Sequence, residues 1–282
     1  MPEGPEIRRA ADALAAAVVG EPLVAAWFHD RALKKYERIL RGRRIESIEP
    51  RGKALLTHFD YGLTLYTHNQ LYGLWRVANA GERPPTRRTL RIALETATRA
   101  ILLYSATDIA IWKTDEIGAH PFLARIGPDV LDPAFDVAAA KSRLRDPRFA
   151  RRNLGALLLD QAFLAGLGNY LRVEILWQAK LGPDRRPADL DARERTRLAE
   201  AIVDVPVRSY RTRTKSRAKA LQKTAFRFRA YHRAGKPCER CGSAIVRTSV
   251  ASRPFYFCPH CQKTPGPRAK IARKTATPRR SR

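Results

Sequence analysis

Residues 238–261 read Cys238-Glu-Arg-Cys241-Gly-Ser-Ala-Ile-Val-Arg-Thr-Ser-Val-Ala-Ser-Arg-Pro-Phe-Tyr-Phe-Cys258-Pro-His-Cys261. Two Cys-x-x-Cys knuckles at this separation supply four thiolates for one tetrahedral zinc ion. Ala244–Thr248 and Phe255–Phe257 have β character, so the stretch predicts a zinc ribbon or β-hairpin finger. Cysteine fills all four ligand positions, which makes the expected metal structural and leaves no place for a reacting water. Four unligated buried cysteines are the competing reading, and the paired spacing weighs against it.

The residues around this stretch are basic. The chain of 282 residues has 54 Lys+Arg against 27 Asp+Glu, a formal +27. Two acid-free stretches, 205–238 and 263–282, carry 11 and 8 of the basic residues. Such a charge predicts a polyanionic partner, and nucleic acid is the usual one. Residues 263–282, low in apolar residues, read as a disordered basic tail. No run of 18 apolar residues occurs, which excludes a helical membrane span, and the N-terminus lacks the apolar core of a signal peptide. Cysteines in metal-binding spacing, with no such signal, point to a reducing cytosol.

Further upstream the texture divides. Residues 5–19 predict a helix with Ile7, Ala10, Ala11, Leu14 and Val18 on one face, opened by Pro5 and ended by Gly20 and Pro22. Short β-like runs follow: Leu23–Phe28, Ala54–Phe59, Leu63–Tyr66, Leu71–Val77, Leu90–Leu94 and Ile101–Tyr104. The alternation at 90–94 predicts a half-buried strand. After Arg125-Ile126-Gly127-Pro128 the pattern turns helical, at roughly 133–144, 154–165, 169–179 and 190–203 by hydrophobic period. The expected architecture is α+β and multidomain. It comprises an N-terminal two-sheet β-sandwich with a leading helix (1–124), a helical domain (125–225), a zinc finger (226–262) and the tail (263–282).

The N-terminus, Met1-Pro2-Glu3-Gly4-Pro5-Glu6, could carry chemistry. Proline is small, so removal of Met1 is expected, leaving Pro2 as a secondary amine with a pKa near ~8. Such an amine adds to an aldehyde carbon and gives an iminium, an electron sink. Glu3 and Glu6 beside it can move protons. Alone, the same string is ordinary helix-capping composition.

Three motifs together resemble the formamidopyrimidine-DNA glycosylase and endonuclease VIII family: Pro2-Glu3-Gly4-Pro5-Glu6, Gly166-Leu167-Gly168-Asn169-Tyr170 and the terminal cysteine finger. The resemblance runs from residue 2 to about 262. Arg51-Gly52-Lys53-Ala54-Leu55-Leu56, His68-Asn69-Gln70-Leu71-Tyr72-Gly73 and Asp160-Gln161-Ala162-Phe163-Leu164 look closest to the branch that acts on oxidised pyrimidines. The resemblance implies a bifunctional base-excision enzyme with a helix–two-turn–helix domain. It matches Pro2 to the Schiff-base nucleophile and Glu3 to the general acid/base. Lys53 and Arg253 match residues assigned to proton transfer, phosphate contact and elimination. Gln70, Leu71 and Tyr72 match a wedge that fills the gap left by an extruded nucleotide. Asn169 and Arg125 match DNA contacts, and Glu6 and Glu174 supporting carboxylates.

Taken singly, each has a plainer reading. Lys53 is a surface lysine after a glycine turn, Arg253 an exposed hairpin arginine, and Leu71 and Tyr72 strand residues facing a core. Asn169 is an N-cap, and Glu174 a solvated or paired helical carboxylate. Their joint occurrence favours the enzyme. The expected partner is damaged double-stranded DNA, the expected cofactor one structural Zn2+ with no organic cofactor, and the expected state a cytoplasmic, nucleoid-associated monomer. Two alternatives stand beside it: an 8-oxoguanine or formamidopyrimidine glycosylase, and a non-catalytic zinc-ribbon DNA-binding protein. Arg208–Arg229, where relatives hold a flexible loop near the flipped base, has no acid and no glycine here, which predicts phosphate contact instead.

Overall fold

A computed structural model describes residues 2–214 and 226–262. The expectations for 215–225 and for the tail therefore lie outside the described residues. Helix α1 (Gly4–Val18) opens the chain with Pro5 in its first turn. It buries Ile7, Ala11, Leu14 and Val18, each large apolar side chain contributing about 1.5–3 kcal/mol. Its apolar stripe packs on a sandwich of two four-stranded antiparallel sheets. The strands are β1 (Ala25–Phe28), β2 (Ile45–Arg51), β3 (Ala54–Phe59), β4 (Leu63–His68), β5 (Leu74–Asn79), β6 (Leu90–Glu95), β7 (Arg99–Tyr104) and β8 (Asp108–Lys113), with a short helix α2 (Lys35–Leu40) after β1. One sheet has the order β1-β6-β7-β5, the other β2-β3-β4-β8.

The two strands absent from the sequence reading, β2 and β8, are the edges of the second sheet. Edge strands need less apolar surface and tolerate proline, so Ile45-Glu-Ser-Ile-Glu-Pro-Arg51 passes for a loop in sequence. The expected half-burial of 90–94 is corrected. Ile92 and Leu94 enter the sandwich core, while Ala93 is covered on the opposite face with Ala78, Ala100, Leu102 and Tyr104. The strand expected at 71–77 starts only at Leu74. Gly73 N–H donates to the Asn69 carbonyl at 2.7 Å, and residues 69–73 form a turn.

The second half holds α3 (Val137–Arg145), α4 (Leu154–Leu157), α5 (Asn169–Ala179) and α6 (Ala192–Thr214), followed by the hairpin β9 (Val246–Val250) and β10 (Arg253–Phe257). The helix expected over 154–165 is only the four residues of α4. Beyond it, Asp160 Oδ1 accepts the Ala162 N–H and the Gln161 carbonyl accepts the Gly127 N–H, so the backbone bonds that a helix would need go elsewhere. The last helix runs past the expected 203 to 214, through Pro206. The helices and the finger share one core, in which Leu157, Leu171, Leu176 and Ile202 lie with Ile245, Phe255 and Cys258. The finger is thus packed into the helical half. The two halves meet where α1 lies on α6. Arg9 donates to the Ser209 carbonyl at 3.2 Å and Tyr210 Oη to Asp12 Oδ2 at 2.6 Å.

Candidate active site

Glycines bring the three dispersed motifs together. Gly4 N–H donates to the Gly166 carbonyl at 2.8 Å. A Cβ on Gly4 would sit 3.1 Å from that oxygen. Gly52, at φ +63°, presses on Ala165: an added Cβ would lie 2.9 Å from the alanine methyl. The Gly52 N–H is held by Asp129 Oδ2 at 2.7 Å. That bond fixes the turn from which Lys53 projects.

Glu3 is 4% exposed, and its carboxylate caps a helix that begins 166 residues later. Oε1 accepts the Tyr170 N–H at 2.8 Å and Oε2 the Leu171 N–H at 3.2 Å. These are free donors of the first turn of α5, where negative charge is favoured. The N-cap residue itself is Gly168, and Asn169 is the first helical residue, which corrects the expected cap. A Cβ at 168 would lie 2.2 Å from Glu3 Cδ, so only glycine leaves room for the carboxylate.

A cavity of about 240 Å3 is lined by Glu3, Lys53, Leu71, Asn169, Tyr231 and Arg253, among others. Burial raises the Glu3 carboxyl to about 7 against the opposing pull of Lys53 and the two backbone donors. Burial likewise lowers Lys53 to about 8, with Glu3 opposing and Arg253 adding to the shift. Such an acid and base pair, both moved toward neutrality, suits proton transfer near pH 7. Pro2 is half-buried and bonded directly to Glu3. Glu6 reaches back to the Glu3 N–H at 3.0 Å, pairs with Arg9 at 2.7 Å and accepts from Tyr170 Oη at 3.3 Å. It holds the N-terminus rather than facing the cavity.

Asn169 donates from Nδ2 to the Pro254 carbonyl at 3.0 Å, tying α5 to the finger. Arg253 follows the turn residues Ala251 and Ser252, both in the left-handed region at φ 52° and 58°. Two such residues between antiparallel strands match the twist of a tight hairpin, at a cost of roughly 1–2 kcal/mol each for side-chain-bearing residues. Leu71 and Tyr72 are not strand residues facing a core: they are 59% and 68% exposed on the 69–73 turn. Leu71 lines the cavity; Gln70 and Tyr72 do not. Arg125 lies in an adjoining cleft that shares Leu159 with it.

Glu174 is buried rather than solvated, and its partners are backbone groups. It is 2% exposed and accepts the backbone N–H groups of Arg229, Ala230 and Tyr231 at 2.8–2.9 Å. It therefore supports the chain segment that delivers Tyr231 to the cavity. Two residues went unnoticed in the sequence. Tyr231 gave no motif. Arg172 is fully buried, donating to the carbonyls of Gly155 (2.7 Å) and Val250 (3.1 Å) and to Asn169 Oδ1 (2.5 Å), with its guanidinium 5.2 Å from the Phe255 ring centre. Its signal was present: an arginine inside the apolar run Tyr170-Leu-Arg-Val-Glu-Ile-Leu-Trp177.

The four cysteine sulfurs lie within 4.8 Å of one another, with Cys241 and Cys258 Sγ 3.5 Å apart. Zinc–thiolate bonds of about 2.3 Å fit four sulfurs so gathered. Cys238, Cys241, Cys258 and Cys261 form a site for a single zinc ion beneath the hairpin. A larger cavity, about 620 Å3, opens behind β2 and β3 and is lined by Glu46, Glu49, Asp129 and Asp132. None of the candidate catalytic residues lines it, whereas Glu3, Lys53 and Arg253 line the smaller cavity together.

Three family models match the chain. The formamidopyrimidine-DNA glycosylase N-terminal domain matches residues 1–107, the formamidopyrimidine-DNA glycosylase H2TH domain residues 126–219, and the zinc finger found in FPG and IleRS residues 235–264. Proteins called Endonuclease 8 from Escherichia coli and Salmonella enteritidis are each 55% identical, over 93% of this chain and 100% of theirs. Among solved structures, Lactococcus lactis Fpg in complex with DNA containing N7-benzyl-Fapy-dG superposes with a TM-score of 0.79 at 25% identity, covering 93% of this chain and all of that one.

Proposed function

Because this chain belongs to the formamidopyrimidine-DNA glycosylase and endonuclease VIII family, we propose that its cavity excises oxidised pyrimidines from duplex DNA and then cuts the strand by successive eliminations. The chain is a DNA glycosylase and AP lyase of base excision repair, and damaged DNA is its partner. The observation that carries the elimination chemistry is the convergence of Glu3, Lys53, Asn169 and Arg253 on one cavity beside Pro2, while the pyrimidine preference rests on the Gln70-Leu71-Tyr72 turn.

A base cannot be attacked inside the stack, so the nucleotide is extruded at a cost of a few kcal/mol. Leu71 and Tyr72, exposed on their turn, fill the gap. Lys53, Asn169, Arg253 and Arg125 hold the backbone through phosphate. With Met1 removed, the Pro2 nitrogen attacks the sugar anomeric carbon, and the bond to the damaged base breaks. Glu3, its carboxyl raised by burial, supplies the proton that opens the sugar ring and later accepts one. The resulting iminium acidifies the neighbouring sugar C–H. Loss of that proton expels the 3′ phosphate, and a second elimination expels the 5′ phosphate. Cys238, Cys241, Cys258 and Cys261 would hold a zinc ion that anchors the hairpin carrying Arg253.

Borohydride reduces the iminium to a stable amine. A covalent adduct between the wild-type chain and a thymine glycol duplex, lost in Pro2→Gly, is the expected result. No adduct with the N-terminal proline intact would overturn the mechanism. Equal or greater trapping on an 8-oxoguanine duplex would overturn the pyrimidine preference while leaving the chemistry standing.

A further inference from the structure

His68 closes β4 and pairs across the sheet with Ala54, the neighbour of Lys53, and with Asp108. Its Nδ1 accepts the backbone N–H of Gln70 at 3.1 Å. Gln70 sits in the left-handed region at φ 47°, where a residue with a Cβ is strained. Among the described residues, the other side-chain hydrogen bonds of the 69–73 turn act elsewhere. Thr107 Oγ1 donates to Gln70 Oε1 at 3.3 Å, and the Arg88 guanidinium donates to the Tyr72 carbonyl. Among these, the His68 contact alone acts on the backbone of the strained residue itself. The imidazole also stands edge-on to Phe122, with ring centres 5.3 Å apart.

We propose that His68 is a positioning residue whose Nδ1 acceptor sets the backbone of the Gln70-Leu71-Tyr72 turn in the shape that enters the DNA stack. The proposal rests on the reading of that turn as a wedge. A side chain that accepts the N–H two residues on is the device by which asparagine builds turns, and here imidazole performs it. Leu71 and Tyr72 project into solvent, so backbone geometry sets their direction before DNA arrives. Burial lowers the His68 pKa, which keeps the Nδ1 lone pair available at neutral pH, with Asp108 opposing and Lys53 reinforcing the shift. His68 does not line the cavity and has no part in the elimination steps.

The test uses full-length wild type, His68→Phe and His68→Asn on two substrates. One is a duplex carrying thymine glycol; the other is a single-stranded oligonucleotide with one abasic site, which offers no pair to open. Wild type that cuts neither substrate refutes the functional reading itself. Phenylalanine keeps the ring against Phe122 and removes the acceptor, so duplex excision should fall about tenfold while single-strand cleavage stays within about twofold. Asparagine restores the acceptor and should return duplex excision to within about threefold of wild type. Should His68→Phe fail to fold, His68→Leu takes its place with the same expectations. Undiminished duplex excision without an acceptor, no rescue by asparagine, or equal loss on both substrates would overturn the proposal.

Discussion

Glu3 and Glu174 are both buried carboxylates that accept backbone N–H groups from a distant part of the chain, and burial raises the pKa of each. Glu3 sits at the seam between the sandwich and the helices, Glu174 at the seam between the helices and the segment entering the finger. Three donors from 229–231 surround Glu174. Glu3 has two, and also faces Lys53 and a cavity. The same device serves structure in one place and, in the proposed mechanism, chemistry in the other. What separates them is access to a reacting partner, not the carboxylate itself.

The sharpest challenge to that distinction is Glu3→Gln. It should lower single-turnover excision per folded molecule by ~10²–10⁴-fold, the usual range for an acid–base group, beyond the about 1–3 kcal/mol of stability lost where its amide faces a backbone N–H of α5. A near-normal rate would erase the difference between the two sites. Gly168→Ala comes next. Its methyl would lie 2.2 Å from Glu3 Cδ and must displace the carboxylate. Misplacement on the order of 1 Å costs about 10²-fold in rate, readable as excision rate at unchanged lesion affinity.

The pH dependence sharpens the comparison further. Glu3 titrates near 7 and a free prolyl amine near ~8, so excision needing both an acid and a free amine should peak between these values. Glu3→Gln should leave no alkaline limb of that origin in the residual rate. A profile flat from pH 6 to 9 would contradict this. The smallest effect on chemistry is expected from Glu174→Gln. Its amide replaces one acceptor oxygen by a donor facing backbone N–H groups. The cost is about 1–3 kcal/mol, or roughly 2–4 °C in melting temperature for each kcal/mol, with turnover per folded molecule within about threefold. The folded Glu174 pKa lies above its unfolded value. Its stabilising share is therefore full below the unfolded pKa, near ~4.3, and shrinks as pH rises through the folded one. The melting deficit of the variant should shrink in the same direction.

Much of this was legible in the sequence because the decisive residues form local strings. The cysteine knuckles and the amphipathic α1 follow from spacing and period alone. The candidate site was legible only as motifs in family order. Nothing local to Glu3 says that its partners are the N–H groups of Tyr170 and Leu171. Gly168 shows no role until the carboxylate beside it is placed. Edge strand β2 was hidden by its low apolar density and its proline, whereas β8, Asp-Ile-Ala-Ile-Trp-Lys, has the composition of a strand; the short α4 was hidden because the Gln161 carbonyl turns to Gly127. Leu71 and Tyr72 have the composition of a strand, and the left-handed Gln70 with the close Gly73 takes them out of one.

The capping of α5 by Glu3 also bears on synthesis. Residues 2–6 leave the ribosome well before 166–171, yet their fixed geometry depends on partners there. Contacts so distant along the chain form late, after the intervening elements exist. A nascent or prematurely terminated chain bearing the sandwich alone thus has its proline and glutamate on an unanchored end. In the proposed mechanism strand-cutting competence therefore waits for the DNA-holding half, and a fragment ending with the sandwich should leave abasic DNA uncut.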